Sequence, residues 1–99
     1  MKPLTYHPES KVESRETVDF YWNRSHLSAL DFRDELKSAL ARLRKSPNAC
    51  SPYLYDTRRV LLDRFPYFVV FRERLHDIQI VAIAHAKRRP GYWAKRLKQ

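Results

Sequence analysis

Apolar residues recur along this chain with two different periods, and the change of period divides it. Between about Ser28 and Arg44, the residues Ala29, Phe32, Leu36, Ala39, Leu40 and Leu43 fall three or four apart. That spacing predicts a helix with one buried stripe. Its acids Asp31, Asp34 and Glu35 sit early and its bases Arg42, Arg44 and Lys45 sit late, a polarity that complements the helix dipole. Pro47 stops it. A less regular stretch from Pro8 to about Asn23 predicts an earlier helix, with Pro8 and Glu9 suited to a first turn. Val12, Val18, Tyr21 and Trp22 are expected to share its inner face, and Glu13, Arg15, Glu16 and Asp19 to face water. The break Asn23–His26 separates the two helices.

After the loop Ser46–Thr57 the period falls to two. Arg58–Phe65, Tyr67–Arg72 and Ile78–His85 read as strands, with Pro66 ending the first and Leu75, His76 and Asp77 turning the second into the third. Short separations make them antiparallel neighbours. Strict alternation in the last strand puts Ile78, Ile80, Ala82 and Ala84 on one face and Gln79, Val81, Ile83 and His85 on the other. Both faces are apolar enough for a central position. Leu4-Thr5-Tyr6 reads as a short opening strand, and Tyr92–Lys98 as a short terminal helix. The order β-α-α-β-β-β predicts an α+β fold in one domain spanning 1–99. Two helices cover one face of a four-stranded, mostly antiparallel sheet. The opposite face is expected to stay partly open, as a groove lined by aromatics and framed by cations, with Arg72 reaching into it beside Phe68.

Composition sharpens this picture. A net charge of +9 over 99 residues favours anionic partners such as nucleic acid, a ribosome or an acidic protein. No acid follows Asp77, whereas Lys87, Arg88, Arg89, Lys95, Arg96 and Lys98 do. A single glycine, Gly91, argues against a glycine-rich phosphate cradle. The single cysteine, Cys50, rules out an internal disulfide and a thiolate cage, and suits a reducing cytoplasm. No long apolar run predicts a membrane span, and the first residues lack a signal peptide's apolar stretch. The four histidines have no metal-binding spacing, so neither metal nor cofactor is expected.

The candidate chemistry lies where the last strand ends. His85 is the acid–base candidate, since an imidazole titrates near neutrality, although a lone histidine at a strand end is more often structural. Lys87, Arg88 and Arg89 can bind phosphates or carboxylates, and Tyr92 and Trp93 can stack on bases or guanidinium planes. Trp93 folded back onto the core is the equal alternative.

The segments Arg58-Arg59-Val60-Leu61-Leu62, Phe65-Pro66-Tyr67, Val69–Arg72, Ile80–His85 and Arg88–Trp93, in this element order, resemble the RelE/ParE toxins of bacterial type II toxin–antitoxin modules. The resemblance runs from His7-Pro8 to Trp93 and is sharpest at the C-terminal end. It implies the same compact α+β fold and a cognate acidic antitoxin that folds on binding. It also implies one of two activities. RelE-like members cleave messenger RNA in the ribosome, where the 2′-hydroxyl attacks the adjacent phosphate and side chains move protons and stabilise the phosphorane. ParE-like members poison DNA gyrase. If the chain is RelE-like, its catalytic set is His85, Arg88, Arg89 and Tyr92. Contacts to a target or antitoxin fall to Arg58, Arg59, Arg72, Lys87, Arg88, Arg89 and Trp93. Phe68 stands where the ribonucleases hold a strand arginine, and Trp93 is no proton donor. The resemblance therefore leans towards a gyrase-directed toxin. A ribosome-dependent ribonuclease and a non-toxic basic nucleic-acid-binding module are the alternatives.

Overall fold

The structure is a computed structural model and describes residues 1–98. The chain runs through β1 (Leu4–Tyr6), α1 (Pro8–Trp22), α2 (His26–Lys45), β2 (Ser51–Pro52), β3 (Arg58–Leu61), β4 (Tyr67–Glu73) and β5 (Ile78–His85), and ends in a 3₁₀ helix, Ala94–Lys98. The strands form one sheet in the order β1-β5-β4-β3-β2, with β1 parallel to β5 and the other pairs antiparallel. The α+β class holds. The fifth strand is the two-residue β2, inside the segment expected to be only loop. β3 is also shorter than expected: it ends at Leu61, and the turn to β4 is held from α2. Glu35 accepts the backbone N–H groups of Asp63 and Arg64, and its other oxygen takes Arg64 Nε at 3.2 Å. Burial alone would raise the Glu35 carboxyl, but these bonds bring it below its ordinary range.

α2 matches its stripe. Ser25 caps it by accepting from Ser28 N at 3.2 Å. Ala29, Phe32, Leu36, Ala39 and Leu43 are buried, while Leu40 is only partly so. Burying Phe32, Leu36 and Leu43 each contributes about 1.5–3 kcal/mol relative to exposure.

α1 is different from the expectation. Its fully buried positions are Ser10 and Thr17, hydroxyls that bond to their own helix at His7 O (2.7 Å) and Glu13 O (2.8 Å). Because these side chains are small and internally satisfied, the helix needs few aliphatics to sit on the sheet. Val18 and Tyr21 join the core, but Trp22 turns outward, 46% exposed, and stacks on His26 at 3.8 Å.

The strict alternation expected in β5 fails at one residue. Val70 pairs with Ala82 and Phe71 with Ile80, so Val81 is an extra residue, a β-bulge. The bulge reverses the phase of the strand. Ile78, Ile80 and Ile83 face the helices with Val69 and Phe71, whereas Val81, Ala82 and Ala84 face the other side with Phe68 and Val70. His85 thus lies on the helix side, opposite Tyr67, with ring centroids 4.9 Å apart. Nor is the far side of the sheet an open groove. Residues 86–98 cross it as a strap, and Trp93, 1% exposed, fills the space that the sequence pattern leaves vacant.

Candidate basic site at the end of the last strand

β5 ends at His85, and the chain turns at once, with Arg88 N donating to His85 O at 3.1 Å. That turn puts Lys87, Arg88 and Arg89 on the surface, all exposed. His85 Nδ1 accepts the Lys87 N–H at 3.0 Å, so the other ring nitrogen is the one left to act elsewhere. The hollow beside it has a volume of about 320 Å³ and is walled by Tyr67, Arg88 and the glutamates Glu13 and Glu16, among others.

Arg88 lies over the Tyr92 ring, its guanidinium carbon 3.6 Å from the centroid, and its Nη1 is 3.5 Å from Glu13 Oε2. The Tyr92 hydroxyl donates to Glu13 at 2.6 Å, and Arg96 donates to both Glu13 oxygens at 2.9 and 3.0 Å. Ile83 N also donates to Glu13, at 3.0 Å. Burial, then the adjacent Glu13 carboxylate, pushes the Tyr92 phenol far above its ordinary value, so it remains a protonated donor. Glu13 was expected in water, and its role is the main one that sequence reasoning missed. A signal existed: Ser10, Glu13, Thr17 and Tyr21 recur at spacings of three and four, one face of α1 written in polar letters.

The other candidates do not converge on His85. Arg59 stacks over Tyr53 and Phe68 on the far face, its guanidinium carbon 4.2 and 4.9 Å from the two ring centroids. Arg72 shares that face, bonded to Gln79 Oε1 at 2.8 Å and to Leu97 O at 2.9 Å. Rather than reaching into an open groove beside Phe68, it helps to hold the strap. Arg58 Nη1 donates to Cys50 O at 2.6 Å and so ties down the loop before β2. Burial pushes the Cys50 thiol up, against the lowering pull of Arg58 and Arg42, so it is not an activated nucleophile. Trp93 packs beneath Tyr53 and Tyr55, with ring centroids 6.0 and 5.9 Å away, and presents no surface to a partner. Gly91 allows this crossing. Its φ is +78°, and a Cβ there would stand 3.1 Å from Tyr55 Cε2. Among the described residues, no three His, Cys, Asp or Glu side chains gather as metal ligands.

Comparison with known proteins places this arrangement. A family model described as the ParE toxin of the type II toxin–antitoxin system parDE matches residues 4–90. The chain belongs to the ParE toxin family. Among solved structures it is similar to one titled "Chromosomal ParDE TA system from P. aeruginosa". The two share 20% identity and a TM-score of 0.76, over 88% of this chain and 98% of that one, a likeness of fold. No curated relative matches in sequence. The ParE match agrees with the leaning drawn from Phe68. The match ends at Pro90, so Tyr92 and Trp93 of the strap and Glu13's partner Arg96 lie beyond it. Among the described residues no helix is long and apolar enough to cross a membrane.

Proposed function

We propose that this ParE-family toxin arrests growth by poisoning DNA gyrase, with Lys87, Arg88 and Arg89 as its contact surface, and that a cognate acidic antitoxin neutralises it. The observation that carries this reading is that carboxylates wall the hollow beside His85 while the strand cations lie on the opposite face of the sheet. Cleavage of RNA by 2′-hydroxyl attack needs a base, an acid for the leaving 5′-oxygen, and cations around one phosphate. Here His85 and Arg88 share a hollow, but Glu13 and Glu16 wall it too and Glu13 already holds Arg88, while the strand cations Arg59 and Arg72 lie on the far side of the sheet. An exposed basic cluster backed by a rigid aromatic ring suits a macromolecular target instead.

The antitoxin reading is supported by a trough between α1 and α2. Two adjoining hollows, of about 310 and 470 Å³, share Ser14, Leu36 and Leu40, and along their edges Lys11, Arg15, Arg33 and Lys37 outnumber the acid Asp34. An apolar floor edged by cations fits an acidic amphipathic segment that orders on binding.

The test joins purified gyrase with mapping of new RNA 5′ ends after induction. The proposal expects lost supercoiling or trapped cleavage complexes, and no codon-phased cuts. Unimpaired gyrase together with codon-phased cuts inside reading frames would overturn it in favour of a ribosome-dependent ribonuclease. Replacing Arg88 and Arg89 together with alanine should abolish arrest. The cost in stability should be below about 1 kcal/mol, since the one ion pair removed is half exposed.

A further inference from the structure

The strap that carries the basic cluster has six cations from Lys87 to Lys98 and no acid of its own. A segment of that charge, on a chain already at +9, is repelled by its own protein unless a carboxylate receives it. Both ion pairs shown for the strap go to one residue, Glu13, at 2.9 Å from Arg96 and 3.5 Å from Arg88. Glu13 comes from the second turn of α1, and its side chain is only 11% exposed. Glu9, which also acts on Arg96, and Glu16, which lines the hollow beside Arg88, surround it more loosely.

From this geometry we infer that Glu13 is the positioning residue of the basic cluster: it latches the strap and sets the Tyr92 ring as the platform on which Arg88 is presented to its target. The inference rests on the reading of Arg88 and Arg89 as target contacts, and adds the residue that aims them. The chain of contacts is short. Glu13 takes the Tyr92 hydroxyl at 2.6 Å, which holds the outer end of the ring in place, and Arg88 lies 3.6 Å from the centroid. The bidentate pair with Arg96 anchors the strap one helical turn further on. Arg88 is itself 54% exposed and held by a single long ion pair. It is therefore oriented by stacking and remains free to bind an anionic partner.

The molecule contains its own reporter. Trp22 and Trp93 are the two tryptophans, and only Trp93 belongs to the strap. In a Trp22→Phe background, emission from Trp93 is expected to be blue-shifted and poorly quenched. Adding Glu13→Gln should shift it to the red and raise amide exchange across 86–98 by at least about tenfold, with the far-UV circular dichroism of the helices unchanged. Trp93 emission and exchange that stay at the parent level would overturn the latch.

A merely structural role is separated by a double-mutant cycle. If Glu13 acts through Arg88, gyrase inhibition by the Glu13→Gln, Arg88→Ala double variant equals that of Arg88→Ala alone. Losses that multiply would overturn the positioning role. Should Glu13→Gln not fold, Tyr92→Phe removes only the hydroxyl bond and keeps the ring. It should give the same changes at about a third to a half of the size on the logarithmic scale. Full arrest by the Arg88→Ala, Arg89→Ala variant overturns the target-contact reading instead, and the emission measurement still decides whether Glu13 holds the strap.

Discussion

Replacing each tryptophan with alanine compares one side chain in two environments. Trp93 is 1% exposed in a cluster with Phe68, Val70, Val81, Ala82 and Ala84, whereas Trp22 is 46% exposed and touches His26. A buried tryptophan removes about 200 Å² from water, worth about 5 kcal/mol at 25 cal/mol per Å². Measured truncations of this type cost about 3–5 kcal/mol. Peeling of the strap limits the loss for Trp93→Ala, because the chain then gives up its docking free energy and regains conformational freedom. The expected cost is about 3–4 kcal/mol, which lowers a urea midpoint by roughly 2 M at an m-value near 1.5–2 kcal/mol per M. Trp22→Ala should cost less than about 1 kcal/mol. Urea unfolding followed by far-UV circular dichroism measures both without relying on tryptophan emission. Equal costs, or a Trp93→Ala cost under about 1 kcal/mol, would mean that the far face of the sheet is not sealed by the strap, and the argument against an open groove would fall with it.

Three further outcomes are expected. Leu43→Ala, at a site with no exposure, should cost about 2–5 kcal/mol, whereas Leu40→Ala, on the floor of the trough, should cost about 1–2 kcal/mol by thermal or urea unfolding. Gly91→Ala should destabilise the chain by about 1–2 kcal/mol through its positive φ and the close Tyr55 ring, and adding Tyr55→Ala should recover only the steric share. Asp77 receives Arg74 at 2.7 and 2.6 Å and Thr5 at 2.6 Å, and these bonds, Arg74 first, hold its carboxyl well below the ordinary range. A carboxyl depressed in the folded state stabilises above its unfolded value of about 4, and that contribution disappears as pH falls towards the folded value. The stability gap between wild type and Arg74→Ala should therefore be constant at neutral pH and narrow below about pH 4, as read from unfolding midpoints across a pH series.

Much of the fold is written in local periodicity. The α2 stripe, the hairpin of β4 and β5, and the basic end of β5 follow from spacing and charge that act within one element. What was not legible depends on contacts between distant elements. Nothing local marks Val81 as a bulge, because every residue from Ile80 to Ala84 is apolar and either phase of alternation reads equally well. Strict alternation therefore sets His85 opposite Ile78 and Ile80, whose side of the sheet it shares. α1 has its inner face in Ser10, Glu13 and Thr17 beside Val18 and Tyr21, and a search for apolar residues finds only the last two and adds Trp22, which faces outward. Glu13 reads as a solvated acid until the strap, some eighty residues later, folds over it. Trp93 stood evenly between target and core on sequence grounds, and packing decided for the core.

The sheet has two rims, and both resist growth. One ends in β2, where Pro52 has no N–H to offer a newcomer, and the other in the three residues of β1. The wholly apolar run Ile80–Ala84 is in the strand second from that rim and outruns its neighbour, because β1 pairs only as far as Ile80. Past that point Glu13 takes the Ile83 N–H and Arg96 takes the Val81 carbonyl, so side chains occupy the sockets that a second copy would need. The carboxylate that holds the strap thus also acts as a guard against self-association, and its loss should leave the chain prone to aggregate.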